Sequence, residues 1–432
     1  MPEEYKLHLS RSVLFDASPL CAFLCTYGAV IDEKEFLKAY KMLSFKEPLI
    51  TAAVRLDDNG EGYACIGKAK TEPIFIETND ERAFFNTEKE RTSNPFEGFF
   101  RFFVLNKRTL AIFANAAVSD CKSLFMITEE LFNFYEKKTF DVSPKEIFLY
   151  SKKSDVPSNA FSVIIDRITS DIEMKWQKKP KTFSNGDYMR LLEAENKMTA
   201  SKNRLAFSLD ESETAELSKI CADKGIDMST AACFAFRKAA LSSPEFKKLK
   251  RKKVNFGADF RIYEEKPYKY GVGPFFARAG IAKPIRRDLK ANGELKAFHD
   301  MCYKKLANVF FAYYDRVFLM YLSPFLCDAA EFYAAGLYKG KTAKKLAKNY
   351  SCLYTPILTF DFFNLDCERW AFLKKFDNIL CSEQKSRGCG LSVTLVLKNG
   401  RLFFEAEAQN ARCSEREFKR ICSEALKILK AI

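Results

Sequence analysis

The fold of this chain is decided around NAAVSDCKSLFMITEELFNFY, residues 115–135. The apolar run 110–114 that precedes it predicts a strand. Beyond Ser123, an apolar residue recurs every three or four positions up to Phe134, which is the period of one face of an α-helix. The sequence therefore predicts a strand, a short polar loop and a helix that ends near Tyr135.

The sequence on either side of this stretch mixes helix and hairpin signals. Asp32 stands three residues before Glu35, a capping-box arrangement at the start of a helix that Pro48 ends. Residues 106–108 predict a turn between two strands, and Asn399-Gly400 predicts a type I′ turn near the C-terminus. Helices combined with antiparallel hairpins in both halves indicate an α+β protein of two lobes.

Length and composition set the domain organisation. The chain has 432 residues, and its 47% hydrophobic content excludes intrinsic disorder because so much apolar surface offsets the entropy cost of ordering. This length corresponds to two or three domains, or to one large pseudo-symmetric unit. Residues 174–190 are enriched in Lys, Pro, Gly and Ser. We therefore expect an N-terminal lobe at 1–175, a linker at 176–195 and a C-terminal lobe at 196–432.

Cysteines and histidines limit the chemistry. The 14 cysteines include no C-x-x-C pair, which indicates free, buried thiols in a reducing compartment, the cytoplasm by default. His8 and His299 are the only histidines, so a histidine-ligated metal site or a His-based triad is not expected. We expect a structural or surface role for each. Neither an export signal nor a run of about 20 apolar residues is present, so no transmembrane segment is expected.

The formal net charge of +14 favours an anionic partner, such as a phosphate, coenzyme A, nucleic acid or an acidic membrane surface. The basic run KKLKRKK, residues 247–253, is the local candidate for contact with nucleic acid or membrane. The sequence around it has no zinc finger, no RNP-type aromatic motif and no Gly-rich phosphate loop. A solvated loop is the simpler interpretation, and nucleic acid is not the expected partner.

Four stretches follow one another in a specific order: KEPLI at 46–50, residues 115–135, VNFGADFR at 254–261 and GVGPFF at 271–276. Together they resemble the chloramphenicol acetyltransferase-like superfamily, of the condensation-domain and alcohol acetyltransferase type. The resemblance covers nearly the whole chain. It implies two acyltransferase-like lobes, each a mostly antiparallel sheet with flanking helices, and a tunnel between them.

The chain departs from this family at its HHxxxDG motif. In the family the second histidine is the general base, and the resemblance places Ala116 there and Asn115 at the first histidine. Alanine accepts no proton, and a missing general base costs about 10²–10⁴ in rate. Cys121 replaces the glycine, which puts the tight turn of the loop in doubt.

Other groups of the motif could still act. Ser119, Asp120 and Cys121 are adjacent, and a carboxylate or a thiolate among them could replace the base. Asp120 would be a poor base if it is tied to an arginine, and Cys121 has no obvious histidine to activate it. Asn115 could donate a hydrogen bond to a ligand carbonyl, a role that needs no proton transfer. Ligand binding therefore survives the substitutions more easily than turnover.

The motif's aspartate is retained as Asp120. The resemblance implies that this carboxylate faces away from the substrate and pairs with an arginine of the second lobe, which corresponds to Arg261. A buried carboxylate needs a partner, and a guanidinium can bind both of its oxygens. We expect a structural ion pair between Asp120 and Arg261.

Two functions remain open from the resemblance. The first is a noncatalytic ligand-binding or scaffold protein, a pseudoenzyme that keeps the fold. The second is an active O- or N-acyltransferase with an altered base, which uses an acyl-CoA or a carrier-protein thioester. The missing histidines favour the first. No permanently bound cofactor is expected; coenzyme A or a phosphopantetheine thioester is the implied substrate, and a carrier protein the implied partner.

Overall fold

The computed structural model describes residues 4–7, 20–69, 72–91, 94–147, 149, 163–199, 202–247, 254–259, 261, 272, 276–281, 293–306, 322–350, 358–365, 372, 375–382, 391–409 and 413–432. His8, most of the basic run 247–253 and most of the GVGPFF stretch lie outside these residues.

The strands occur throughout the chain. They are β1 (Glu4–Lys6), β2 (Leu20–Tyr27), β3 (Ala53–Leu56), β4 (Gly62–Cys65), β5 (Ile74–Ile76), β6 (Phe100–Leu105), β7 (Thr109–Asn115), β8 (Lys202–Leu209), β9 (Val254–Asp259), β10 (Phe276–Ile281), β11 (Leu358–Leu365), β12 (Phe376–Ser382), β13 (Leu391–Lys398) and β14 (Arg401–Gln409).

The helices alternate with these strands. They are α1 (Glu33–Lys46), α2 (Glu81–Glu90), α3 (Cys121–Tyr135), α4 (Val163–Gln177), α5 (Asn185–Thr199), α6 (Glu211–Asp223), α7 (Met228–Ser242), α8 (Pro244–Lys247), α9 (Glu294–Leu306), α10 (Pro324–Ala334), α11 (Lys341–Tyr350) and α12 (Glu415–Lys430). None of the helices within the described residues is long and apolar enough to cross a membrane.

Three sheets organise the molecule. A small sheet has the order β1-β4-β3, a five-stranded sheet has β12-β2-β7-β6-β5, and a six-stranded sheet has β10-β9-β11-β13-β14-β8. Most neighbouring strands are antiparallel; the parallel pairs are β5 with β6, and β11 with both β9 and β13. The predicted α+β architecture with mostly antiparallel sheets is confirmed.

The predicted turns are also confirmed. Asn399 and Gly400 have φ values of 50° and 70°, as a type I′ turn requires, and they join β13 to β14. Asn106 and Lys107, with φ values of 50° and 54°, join β6 to β7 in the same way. Asp32 accepts a hydrogen bond from the Glu35 backbone and starts α1.

Each large sheet has one face that packs on helices. In the five-stranded sheet, Phe23 and Ile112 contact the core that α1 and α3 complete. In the six-stranded sheet, Leu391 and Val393 pack against α7, α9 and α12. Because side chains alternate along a strand, residues 392, 394, 396 and 398 of β13 point to the opposite face, and Val396 there joins the core of the first lobe.

The chain does not divide into lobes as simply as the sequence indicates. The predicted linker, 176–195, contains the end of α4 and most of α5. Helices α10 and α11 pack into the core of the first lobe, and β12 pairs with β2 as an edge strand of the five-stranded sheet. The division at 176–195 stays a prediction, and the structure adds that C-terminal segments complete the N-terminal lobe.

A buried acidic residue at the end of α1 makes stability depend on pH. Burial, together with repulsion from Glu130 and against the attraction of Lys145, raises the pKa of Glu47 from 4.5 to about 7. A carboxyl whose pKa is raised on folding destabilises the folded state as pH rises from its unfolded to its folded pKa. We expect the ionisation of Glu47 to remove about 1–3 kcal/mol from the free energy of unfolding between pH 4.5 and pH 7, which is read as the difference between the parent and a variant that does not ionise at this position.

Urea unfolding of Glu47→Gln over this pH range tests the prediction. Glutamine does not ionise, so the fall should become shallower in this variant. Glu415→Gln, at an exposed site on α12, is the control and should keep the fall of the parent protein. An equal fall in the parent and Glu47→Gln would show that Glu47 is not the titrating group.

Candidate functional site

The candidate site is the loop between β7 and α3. Asn115 ends β7, and its backbone carbonyl accepts hydrogen bonds from the amides of Val118 (3.1 Å) and Ser119 (3.2 Å), which turns the chain towards α3. The loop is enclosed, because Asn115 is 0% and Ala116 8% exposed. Helix α3 begins at Cys121, so the apolar period that follows Ser123 lies entirely within the helix.

Asp120 has two structural roles at this loop. It is the N-cap of α3, because its Oδ1 accepts hydrogen bonds from the Ser123 backbone (2.7 Å) and hydroxyl (2.8 Å). It also binds the guanidinium of Arg261, which donates from Nη2 to Oδ1 at 2.8 Å and from Nη1 to Oδ2 at 2.9 Å. Both side chains are 2% exposed. The structure thus brings the predicted partners together in a buried, two-pronged pair.

Further ionic contacts lie next to the Asp120–Arg261 pair. Asp259, on β9, accepts a hydrogen bond from Arg261 Nη1 at 3.0 Å and pairs with Lys122 of α3. Burial alone would raise the pKa of Asp259, but Arg261 and Lys122 outweigh it and lower that pKa. Burial would likewise lower the pKa of Arg261, and the carboxylates of Asp120 and Asp259 raise it instead. Sequence reasoning missed Lys122 and Asp259, although each stands two positions from a predicted partner.

Asn115 has one satisfied and one unsatisfied polar atom. Its Oδ1 accepts a hydrogen bond from the Ala117 backbone at 2.9 Å, which fixes the orientation of the amide. Its Nδ2 is buried and has no hydrogen-bond partner among the described residues. A buried donor left unpaired costs about 1–3 kcal/mol, so this amide is suited to a ligand oxygen. Ala116, next to it, offers only a methyl group.

Cys121 is not a free thiol. Its sulfur is joined to that of Cys381, with the two Cα atoms 6.5 Å apart. The expectation that the cysteines are all free is therefore wrong for this pair. The 260-residue separation hides the pairing in the sequence, because it arises only when β12 adds to β2 and places Cys381 opposite Phe23.

The remaining described cysteines are free and buried, as expected. Burial raises the pKa of Cys221 to about 11 and that of Cys302 to about 12. Such thiols stay protonated at neutral pH and are not nucleophiles.

His299 is remote from the loop. It lies on α9, with Nδ1 3.3 Å from Asp300 and Nε2 3.6 Å from Asp227. Helix α9 packs against α7 on the face of the six-stranded sheet that points away from the first lobe. The structural role predicted for His299 agrees with these contacts. Among the described residues, no group of His, Cys, Asp and Glu side chains could hold a metal ion.

A cavity of about 450 Å³ lies between the two large sheets. Strands β2 and β12 and helix α2 form one side, and β8, β13 and β14 form the other. It reaches Cys381, but Asn115 and Ala116 are not among the residues that line it. A tunnel that passes the motif stays a prediction.

Comparisons with known proteins define the fold. No protein-family model matches the sequence, and no curated protein matches it either. Solved structures do match. The first condensation domain of the calcium-dependent antibiotic synthetase has a TM-score of 0.65 at 10% identity, over 99% of this chain and 96% of that one.

Two further structures agree. The condensation domain of a monacolin K polyketide synthase has a TM-score of 0.63 at 10% identity, over 99% of this chain and 97% of that one. Trichothecene 15-O-acetyltransferase from Fusarium sporotrichioides has a TM-score of 0.62 at 11% identity, over 99% and 95%. The chain therefore has the chloramphenicol acetyltransferase-like fold of condensation domains, and the resemblance seen in the sequence is confirmed at the level of fold.

Breaking the buried ion pair should destabilise the protein strongly. Arg261→Met leaves Asp120 buried without its cation, and we expect a loss of about 3–5 kcal/mol in the free energy of unfolding, measured in urea. Arg190→Met, in the exposed pair with Asp187, is the control and should cost less than about 1 kcal/mol. Equal small losses in both variants would contradict the role given to the Asp120–Arg261 pair.

Proposed function

We propose that this chain is a noncatalytic ligand-binding or scaffold protein built on the condensation-domain fold. One observation carries the proposal: within the described part of the chain, the loop after β7 has a buried hydrogen-bond donor without a partner, Asn115 Nδ2, and no side chain beside it that could accept a proton. By the resemblance, Ala116 stands where the family's general base would be. A carbonyl oxygen could bind such a loop, whereas a hydroxyl or amine would find no group there to take its proton.

The neighbouring groups do not replace the base. Both oxygens of Asp120 are already bound by Arg261, and Oδ1 also accepts two bonds from Ser123. Cys121 is bonded to Cys381 and has no thiol to ionise. Ser119 is buried and lies 3.4 Å from the backbone carbonyl of Asp120, which is not a base. These contacts hold the loop in place and engage the groups that could otherwise take over from the base, which supports binding without chemistry.

The ligand that the resemblance implies is an acyl thioester of coenzyme A or phosphopantetheine, and a carrier protein is the corresponding partner. The net charge of +14 suits the phosphates of such donors. We propose the cytoplasm as the location, because the other described cysteines are buried free thiols, which suit a reducing compartment; the Cys121–Cys381 bond is the one observation against it.

An active O- or N-acyltransferase is the second candidate. The shared fold with trichothecene 15-O-acetyltransferase favours it, since that protein is named for acetyl transfer to oxygen. This candidate requires a base other than the family's histidine, and within the described residues the candidate loop supplies none.

Restoring the imidazole tests the proposal. The parent protein should release no coenzyme A from acetyl-CoA or longer acyl-CoA above background when offered small alcohols and amines. Ala116→His should release it at least tenfold above background, since a positioned base contributes about 10²–10⁴ in rate. The measurement is the appearance of free thiol with time.

Ala116→Gln is the matched control, because glutamine has a similar size but takes no proton at neutral pH. It should remain inactive. Turnover by the parent would overturn the noncatalytic proposal in favour of the second candidate. Equal turnover by the Gln and His variants would show that Ala116 does not occupy the position of the base.

A further inference from the structure

Helix α11 separates apolar and charged side chains onto opposite faces. Ala343, Leu346 and Ala347 are buried in the core of the first lobe. Four exposed lysines lie on the other side: Lys341, Lys344, Lys345 and Lys348. At about 100° per residue they fall within one arc of about 100°, and from residue 341 to residue 348 this arc holds nothing but lysines. The face that α11 turns away from the core is therefore purely cationic.

This arrangement is unfavourable for α11 by itself. Lys341 and Lys345 are four residues apart, and so are Lys344 and Lys348. Like charges at this spacing repel each other. Lys341 also stands in the first turn, where the helix dipole is positive and where no acidic residue is present. None of the four lysines has an ion-pair partner among the described residues, so an anion outside the chain would relieve the repulsion.

Helix α12 shows how another surface helix of this protein avoids the problem. It also carries exposed cations, but carboxylates lie beside them. Lys419 pairs with Glu415 at 2.6 Å. Arg420 pairs with Glu417 at 2.8 Å. The unpaired lysines of α11 are therefore not a by-product of the positive net charge of the whole chain.

The cationic face extends beyond α11. The helix contacts α4, and the connection from α4 to α5 carries further lysines. The Lys181 ammonium lies 5.9 Å from the centre of the Phe183 ring. The centre of the same ring is 5.7 Å from that of Tyr338, which precedes Lys339. Two more exposed lysines belong to this connection: Lys178 and Lys179.

We call residues 178–181 and 336–348 together the basic surface. These residues include no aspartate, glutamate or arginine. The nearest carboxylates along the chain on either side of 178–181 are held elsewhere. Glu173 accepts hydrogen bonds from the Ser323 backbone at 3.0 Å and from Gln177 at 2.8 Å. Asp187 pairs with Arg190 at 2.6 Å.

Apolar side chains are exposed at the basic surface as well. Leu337 is 44% exposed within it, and Met174, four residues before Lys178, is 60% exposed. In an interfacial membrane contact, apolar side chains enter the boundary between headgroups and acyl chains while lysines lie at anionic headgroups. A nucleic acid or an acidic solute has no such apolar layer beneath its charges.

The type of cation also favours a membrane as the partner. Lysine is depleted and arginine enriched at protein–protein interfaces, and arginine is the residue that most often reads guanine in DNA. Lysine acts as a compact point charge without a fixed hydrogen-bonding fork. A layer of lipid headgroups requires only such charge, and each lysine near it contributes to binding.

We propose that the basic surface is a peripheral membrane-binding site, which docks the chain on a bilayer that contains anionic phospholipid. The lysines of α11 and of residues 178–181 lie against the headgroups, and Leu337 and Met174 enter the layer beneath them. The site is independent of the function proposed for the loop after β7, because neither Asn115 nor Ala116 belongs to it.

Co-sedimentation of the full chain with lipid vesicles tests the site. We expect vesicles with about 30% phosphatidylserine to be bound at least about tenfold more tightly than vesicles of phosphatidylcholine alone, at about 0.1 M salt. At about 1 M salt, where the screening length falls to about 3 Å, this preference should be lost. No preference at the lower salt concentration would overturn the proposal.

Replacing all four lysines of α11 by glutamine in one variant assigns the binding to this face. The substitutions are Lys341→Gln, Lys344→Gln, Lys345→Gln and Lys348→Gln. This variant should bind the anionic vesicles at least about tenfold more weakly, since each lysine near such a surface contributes to binding. Its thermal stability should be unchanged or higher, because repulsion between like charges is removed.

The matched control makes the same change in net charge on α12. Its four substitutions are at exposed cations that lie beside carboxylates: Lys419→Gln, Arg420→Gln, Lys427→Gln and Lys430→Gln. This variant should bind the anionic vesicles within about threefold of the parent. Equal losses in the two variants would show that the vesicles respond to net charge alone, and would overturn the proposed site.

Double-stranded DNA and polyglutamate represent the other anionic partners. Leu337→Gln should weaken vesicle binding about threefold, because the apolar side chain no longer enters the lipid layer, and should leave binding to either polymer unchanged. Tighter binding of DNA or polyglutamate than of anionic vesicles at the same salt concentration, lost with the lysines of α11, would overturn the membrane assignment in favour of a nucleic acid or an acidic protein.

Discussion

One carboxylate, that of Asp120, connects the two lobes of this protein. It caps α3 of the first lobe and, at the same time, binds both terminal nitrogens of Arg261 in the second. Each contact limits the freedom of the other, because the cap fixes where the carboxylate lies and the guanidinium fixes how it is turned. The loop that carries Asn115 and Ala116 runs between β7 and this anchored residue, so its position follows from the pair. A buried pair of this kind contributes geometric specificity, whatever its net contribution to stability.

Local signals in the sequence were sufficient for much of the fold. The turns at 106–107 and 399–400 depend on neighbouring residues alone, as does the cap at Asp32, and all were predicted correctly. The apolar period predicts the end of α3 near Tyr135, where the helix does end, but it does not reveal the capping role of Asp120 at its start. The link between Cys121 and Cys381 and the pairing of β12 with β2 require contacts across more than 250 residues. The hydrophobic periodicity of a sequence reports local structure, so it could not predict these long-range contacts.

Some features of the candidate site could likewise be predicted from the sequence, and others could not. Residue types at the motif indicated that a base is missing, and the resemblance indicated the partner of Asp120. The cavity could not be found from the sequence, since Leu24 and Arg82 come to face Thr394 and Val396 only when two sheets meet. Alternation along β13 does place residues 392, 394 and 398 on one face, but a polar face on a strand is usually solvent-exposed, and here the face is covered by another lobe.

Strand β12 belongs to the five-stranded sheet of the first lobe, although it lies far along the chain from the other strands of that sheet. This affects both fragments of the chain and its synthesis. Any fragment that stops before residue 376 leaves the hydrogen-bonding groups of β2 open along a sheet edge, and such edges promote association between chains. The N-terminal half alone would therefore lack one strand of its own sheet. During synthesis, the strand that completes the first sheet is made nearly 350 residues after β2, so this edge stays open, and prone to association, until late in translation.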